Sequence, residues 1–246
     1  MSILQASRIS FSYNGKPALE DISFSIEPGQ GIFLLGHNGC GKTTLLKAAA
    51  GLLEGYSGSI LLSGEEISSM KQARRAEICA FVPGEVLSPF DFAVEDTVLM
   101  GRSPLKKWWQ SWDDEDYEEL NRVLDTLGLV KLRKKGINRI STGERHLVFL
   151  AQALIQRPAL LLLDEPSSHL DLKHKLKFFE ILESLRSGGI SYLMASHELK
   201  PVFSFGDSCL CLKDGKKVFY GPSRNLSREI LAELYGLRTS DLEKIL

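Results

Sequence analysis

Two stretches near the start of the chain, Leu4 to Tyr13 and Ala18 to Ile26, alternate apolar and polar residues. A period of two places successive side chains on opposite faces of a strand, so the pattern predicts two half-buried strands of an antiparallel layer. Asn14-Gly15 stands between them as the turn. Gly31 to Leu35 is a short apolar strand. From Gly41 to Ala50 the pattern is helical, and Gly51 stands where a terminating glycine belongs. Strand-like runs recur at Ser59 to Leu62, Ile78 to Val82, Leu160 to Leu163 and Tyr192 to Ala195. Strands alternating with helices predict an α/β fold with a largely parallel sheet under helical cover.

The middle of the chain reads differently. From about Ala93 to Arg157 the signal is helical, with Tyr117, Leu120, Leu124 and Leu127 on one face of a helix that begins near the acidic turn Asp113 to Asp116. This is expected to be a helical insertion between two strands; helices that merely cover the sheet would give the same periodicity.

Composition narrows the class. The 246 residues are 43% hydrophobic and 25% charged, an ordinary globular balance, and the formal net charge of -1 supplies no electrostatic reason for a nucleic-acid partner. Cys40, Cys79, Cys209 and Cys211 are too few and too scattered for a disulfide framework, and reduced thiols are expected. Cys209 and Cys211 alternate in an apolar run and would point the same way from a strand, as packing rather than as metal ligands. The opening MSILQASRIS lacks the pattern of a secretory signal, and runs such as Ala159 to Leu163 are far too short to span a bilayer. Any membrane role is therefore expected to come from a partner.

The chemistry lies in two places. Gly36-His37-Asn38-Gly39-Cys40-Gly41-Lys42-Thr43-Thr44 fits the phosphate-binding loop G-x-x-x-x-G-K-[ST], directly after a strand and at the start of a helix. Its glycines let backbone N–H groups close around phosphate oxygens, and the helix N-terminus adds partial positive charge. Lys42 can reach the β- and γ-phosphates, and the Thr43 hydroxyl can bind Mg²⁺. A glycine-rich turn alone would not explain the Lys-Thr pair. Leu160-Leu161-Leu162-Leu163-Asp164-Glu165 is the second place: a buried strand whose acidic pair emerges at its C-terminal end, where ligands bind in open α/β sheets. Asp164 can hold Mg²⁺, and Glu165 is the candidate general base for an attacking water.

These two motifs define a phosphate-loop NTPase and no more. Ile140-Ser141-Thr142-Gly143-Glu144-Arg145 resembles the L-S-G-G-Q signature of the ATP-binding-cassette ATPases. Ser167-Ser168-His169-Leu170-Asp171 resembles the D-loop of that family, Ser196-His197 its switch histidine, and Tyr13 its adenine-stacking aromatic. The resemblance runs in order over nearly the whole chain. It implies a Mg²⁺-dependent ATPase of α/β P-loop fold, with an antiparallel N-terminal layer, a core of about 1–84 and 158–246 and a helical subdomain of about 85–157. It further implies two cassettes packed head to tail as a homodimer. Ser141 and the Gly143 amide would then meet the γ-phosphate in trans, Asp171 would bridge the sites, and His197 would sense the γ-phosphate. Partners would be integral membrane permease subunits, with the cassette held at the cytoplasmic face. Thr97 to Pro104 and Leu231 to Gly236 look like segments of cassettes serving importers of iron chelates, haem and cobalamin, which also use an external substrate-binding protein. Another importer or exporter class, or a regulatory cassette with little turnover, is the alternative reading. A cassette acting on DNA would need a long coiled coil, and one acting on ribosomes usually carries two tandem cassettes; neither feature is present.

Three positions depart from the family pattern. Gly84 follows Val82-Pro83 where a glutamine is usual, Thr142 replaces a glycine, and Glu144 replaces a glutamine. A β-branched residue is costly at Thr142 if its φ is positive and harmless if it is helical. Restoring glutamine at Gly84 is expected to raise coupled activity, or at least not to abolish it. Lys106 to Trp112, with its three tryptophans, reads about equally as local packing or as a partner-facing patch.

Overall fold

A computed structural model describes residues 1–85, 88–168 and 170–238. In chain order its elements are β1 (Leu4–Tyr13), β2 (Lys16–Ile26), β3 (Gly31–Leu35), α1 (Lys42–Ala49), β4 (Ser57–Leu62), β5 (Glu65–Glu66), α2 (Gln72–Ile78), β6 (Cys79–Val82), α3 (Val94–Leu99), α4 (Asp114–Thr126), α5 (Thr142–Leu154), β7 (Leu160–Asp164), α6 (Leu172–Ser187), β8 (Ser191–Ser196), α7 (Leu199–Phe205), β9 (Ser208–Lys213), β10 (Lys216–Pro222) and α8 (Arg228–Tyr235).

The strands form one sheet in the order β5-β4-β1-β2-β10-β9-β3-β8-β7-β6. β1 is antiparallel to β2 and to β4, and the β1–β2 hairpin closes through Asn14 and Gly15, both at positive φ. This is the antiparallel layer that the alternation predicts. β9, β3, β8, β7 and β6 run parallel to one another. Their largely apolar sequences follow from burial on both faces. Leu160 and Leu162 face one core, with α1, Ile78 of α2 and the antiparallel layer, while Leu161 and Leu163 face the other, under α3 to α8. Cys209 and Cys211 share that second core, as their spacing predicts.

The chain from β6 to β7 carries α3, α4 and α5, yet β6 and β7 are parallel neighbours from Cys79↔Leu160 to Val82↔Leu163. Val94, Val98, Leu120, Val123, Leu147 and Val148 of these helices join one apolar cluster with sheet residues Phe33, Val82 and Leu163. On α4 the expected face needs correction. Leu120, Leu124 and Leu127 are buried, but Tyr117 is exposed. Asp116 and Glu119 occupy that face instead, and their burial is made tolerable by cations: Arg102 at 2.8 Å from Asp116 and Arg157 at 2.9 Å from Glu119. A pattern of apolar residues cannot register a buried carboxylate that is paired. The three tryptophans also divide. Trp112 packs against the core, whereas Trp108 is 91% exposed and Trp109 62%, touching each other and Lys107. Local packing therefore accounts for Trp112 and leaves Trp108 and Trp109 unburied. Among the described residues no helix is long and apolar enough to cross a membrane.

Candidate functional site

The glycine loop sits between the C-terminal end of β3 and α1, at the edge where the parallel strands all end. Two of its glycines are required by space. A Cβ on Gly36 would lie 2.2 Å from the Leu212 carbonyl oxygen, and one on Gly41, at φ 106°, would lie 2.5 Å from that of Ala18. The loop is thus wedged against β2 and β9, which fixes the direction of its amides. Cys40 packs inward at the same place, fully buried, and burial pushes its thiol above the ordinary range. His37 lies 3.1 Å from Asp214 in the β9–β10 turn, and the Gly215 amide donates to the Cys40 carbonyl, so that turn brackets the loop from behind.

Lys42 opens α1, is 5% exposed, and folds back over the loop to donate to the carbonyls of Gly36 at 2.8 Å and His37 at 3.3 Å. Its ammonium is 3.5 Å from Oε1 of Glu165, and His197 Nε2 is 2.6 Å from Oε2 of the same carboxylate. Glu165 itself sits at φ 50°, an uncommon conformation for a residue with a side chain, one step past the end of β7. Its amide donates to Ala195 of β8, which ties the strained residue to the strand that ends in Ser196 and His197. Lys42, Glu165 and His197, scattered over 155 positions of sequence, are brought into one cluster, with Lys42 and His197 on the two oxygens of the Glu165 carboxylate.

Thr43 and Asp164 form the neighbouring corner. The Thr43 hydroxyl donates to Asp164 Oδ2 at 2.8 Å, while Asp164 Oδ1 is buried with no hydrogen-bond partner. Burial, only partly offset by the Thr43 hydrogen bond, raises the Asp164 carboxyl above the usual range. An orphaned carboxylate oxygen beside a hydroxyl is a donor set suited to a hard divalent cation such as Mg²⁺. Two clefts meet at Thr43 and Glu165. One, of about 510 Å³, runs past Lys47, Gly84, Asp164 and Ser168. The other, of about 310 Å³, is lined by Asn38, Gly39, Gly41, Lys42, Thr44 and, at its outer end, Tyr13. Tyr13 is half exposed and meets Phe11 in a T-shaped contact with ring centroids 4.7 Å apart.

Ser141, Gly143 and Asp171 line neither cleft. Ser141 caps α5 and Asp171 caps α6, and Gly143 lies against Leu170 and His174, which itself lies 2.9 Å from Asp171. They form a second patch, and His169 of the D-loop resemblance lies outside the described residues.

The departures resolve on local geometry. Thr142 is the first residue of α5 and has no positive φ, so its branched side chain is unstrained. Glu144 completes a capping box, its carboxylate accepting from the Ser141 amide at 2.8 Å while the Ser141 hydroxyl accepts from the Glu144 amide at 3.2 Å. Gly84 differs from expectation: a Cβ there would lie 2.7 Å from the Asp164 carbonyl oxygen. The end of β6 is closed down on β7, and a restored glutamine would have to push the strands apart. The sequence reading also passed over His146, four residues after Thr142, whose ring faces the Gly84 carbonyl at 3.4 Å. Its only sequence signal is the i, i+4 spacing on an N-capped helix.

The family model described as ABC transporter matches residues 19–168. An ABC transporter ATP-binding protein of Methanocaldococcus jannaschii is 33% identical over 238 residues, covering 96% of this chain and 92% of its own. The iron(3+)-hydroxamate import ATP-binding protein FhuC of Bacillus subtilis is 30% identical, with 96% of this chain and 88% of that protein covered. The ferric enterobactin transport ATP-binding protein FepC of Escherichia coli is 28% identical over the same shares. Among solved structures, an inward-facing metal-chelate type ABC transporter superposes with a TM-score of 0.84 at 30% identity, over 95% of this chain and 89% of that one. A nucleotide-free ATP-binding cassette superposes at 0.82 with 22% identity over 95% of each chain, a likeness of fold.

Proposed function

The chain belongs to the ABC transporter family as an ATP-binding, ATP-hydrolysing subunit, and from that premise we propose that it powers import of an iron-chelate or related metal-complex substrate. The observation that carries the catalytic part is the convergence of Lys42, Thr43, Asp164 and Glu165 on one pair of joined clefts, with His197 2.6 Å from the Glu165 carboxylate. The proposed cargo rests on FhuC, FepC and the metal-chelate type transporter as neighbours in sequence and fold.

In this reading the loop amides of Gly36 to Thr44 hold the phosphates and Tyr13 stacks on the adenine. Lys42, now resting on two carbonyls, exchanges them for β- and γ-phosphate oxygens and neutralises the charge that develops there. Glu165, freed as Lys42 turns to the phosphates, orients a water against the γ-phosphorus and accepts its proton, with ADP leaving. His197 stays on the far oxygen of Glu165 and reports whether the γ-phosphate is present. Thr43 and Asp164 would hold Mg²⁺, which would supply positive charge beside the phosphates when bound. The cassette acts as a homodimer in which Ser141 and the Gly143 amide complete the other copy's site and Asp171 bridges the two. That assignment accounts for a capped helix N-terminus that lines neither of its own copy's clefts. The core of about 1–84 and 158–246 binds nucleotide. The helical part, about 85–157, meets permease subunits at the cytoplasmic face of the membrane, and an external binding protein delivers the cargo.

The test is copurification with the permease, reconstitution in liposomes, and uptake of ferric chelates with their binding protein. ATP-dependent accumulation inside the vesicle is expected. Outward movement only, or a partner unlike such permeases, refutes the cargo assignment, and absence of ATP turnover in the complex refutes the catalytic one.

A further inference from the structure

We propose that His146 is a positioning residue that links the nucleotide site of each cassette to the helix presenting Ser141 and Gly143; the inference rests on the catalytic reading above. The ring is buried, 4% exposed, between two carbonyl oxygens. Nδ1 is 2.9 Å from the Thr142 carbonyl in the first turn of α5, and Nε2 is 3.4 Å from the Gly84 carbonyl at the end of β6. Each end of this link is held in turn. Thr142 lies inside the Ser141–Glu144 capping box, so a pull on its carbonyl moves the capped N-terminus of α5 as a unit. Gly84 is packed so tightly on Asp164 that no Cβ fits between them, and Asp164 accepts from Thr43 of the phosphate loop. A single imidazole therefore spans the distance from the carboxylate corner of the clefts to the second patch.

The chemistry makes this link two-state rather than a passive packing contact. Both of these carbonyls are acceptors, and in either neutral tautomer only one ring nitrogen carries a hydrogen, so the tautomer decides which of the two can receive it. Filling the cleft that Gly84 and Asp164 line displaces the β6 end, shifts the balance between the two carbonyls, and repositions the first turn of α5. Glycine at position 84 belongs to the same device: with no side chain to carry the signal, the signal passes through its backbone carbonyl.

The experiment is hydrogen–deuterium exchange on the full-length subunit with and without Mg·ATP, comparing wild type, His146→Leu and His146→Gln. In wild type, nucleotide is expected to protect segments 36–44 and 139–146 together. His146→Leu removes the donor at similar bulk, and the nucleotide-induced protection of 139–146 should fall at least threefold while that of 36–44 is unchanged. His146→Gln keeps an N–H donor and should retain at least half of the response. Equal responses in wild type and His146→Leu overturn the proposal. So does equal loss in both variants with faster exchange everywhere, which is the mark of a merely structural histidine. Silence of segment 36–44 in wild type overturns the catalytic reading, and the link with it, and is recognised because the phosphate loop itself fails to respond.

Discussion

At the scale of single residues, the site is governed by how closely backbone approaches backbone. Gly84 shows this best, because its φ is ordinary and only space demands glycine. A Cβ 2.7 Å from the Asp164 carbonyl oxygen is an overpacked contact, which costs about 1–3 kcal/mol when the surroundings must shift. Gly84→Ala and Gly84→Gln are therefore expected to lower the melting temperature by roughly 2–8 °C and to reduce ATP turnover, the reverse of what the family pattern alone suggested. Calorimetry and a steady-state ATPase assay check this; a glutamine variant as stable and active as wild type would show that the strand ends separate freely. Thr142 is the opposite case. It breaks the same family pattern, yet it sits at a helical φ in the first turn of α5, where a branched residue costs only a few tenths of a kcal/mol.

At the scale of elements, α4 carries the least expected feature. Its cap is a capping box between Asp113 and Asp116, and Asp116 is at the same time fully buried. Burial alone would raise the Asp116 carboxyl. Hydrogen bonds from Lys106, the Asp113 amide and Arg102 outweigh it and hold the group down at about 2. Since the folded pKa lies below the unfolded one, this contribution to stability is complete above the ordinary carboxylate range and is lost as pH falls toward 2. Asp116→Asn is expected to cost on the order of 1–2 kcal/mol at neutral pH and to leave a smaller loss of stability on acidification. Thermal melts from pH 7 down to pH 3 for both proteins measure it, and parallel acid limbs would remove Asp116 from the account. Glu119, beside Arg122 and Arg157, anchors the same helix by the same logic.

At the scale of the whole molecule, the division of the site residues between two patches matters most. Ser141, Gly143 and Asp171 line neither of the clefts that Lys42, Thr43 and Glu165 line, and in the proposed head-to-tail pair they would complete the other copy's site. Glu165→Gln keeps the phosphate cradle and removes the base. Turnover should fall by about 10²-fold or more while ATP affinity is kept, and Mg·ATP should then convert the variant to a stable dimer in size-exclusion chromatography. A monomer at saturating nucleotide, together with normal turnover, would be falsifying for both the base and the head-to-tail pair.

Much of this was legible along the chain. The phosphate loop, the acidic pair after Leu160–Leu163, the antiparallel hairpin and the α/β class are local patterns: a periodicity, a turn dipeptide, a run of glycines before Lys-Thr. Such patterns act through neighbours a few residues away, so sequence alone determines them. The buried carboxylates of α4, the closeness of Gly84 to Asp164 and the bridge made by His146 were not legible. Each depends on a partner between 14 and 80 positions away. A charge can be buried only if a cation arrives from another element, a glycine is required only where a distant carbonyl presses on it, and a histidine becomes a link only when a carbonyl far along the chain, here Gly84, meets the ring on the side away from its own helix. Those meetings are set by the sheet order and the packing of α3 to α5 upon it, and so only the tertiary structure decided them.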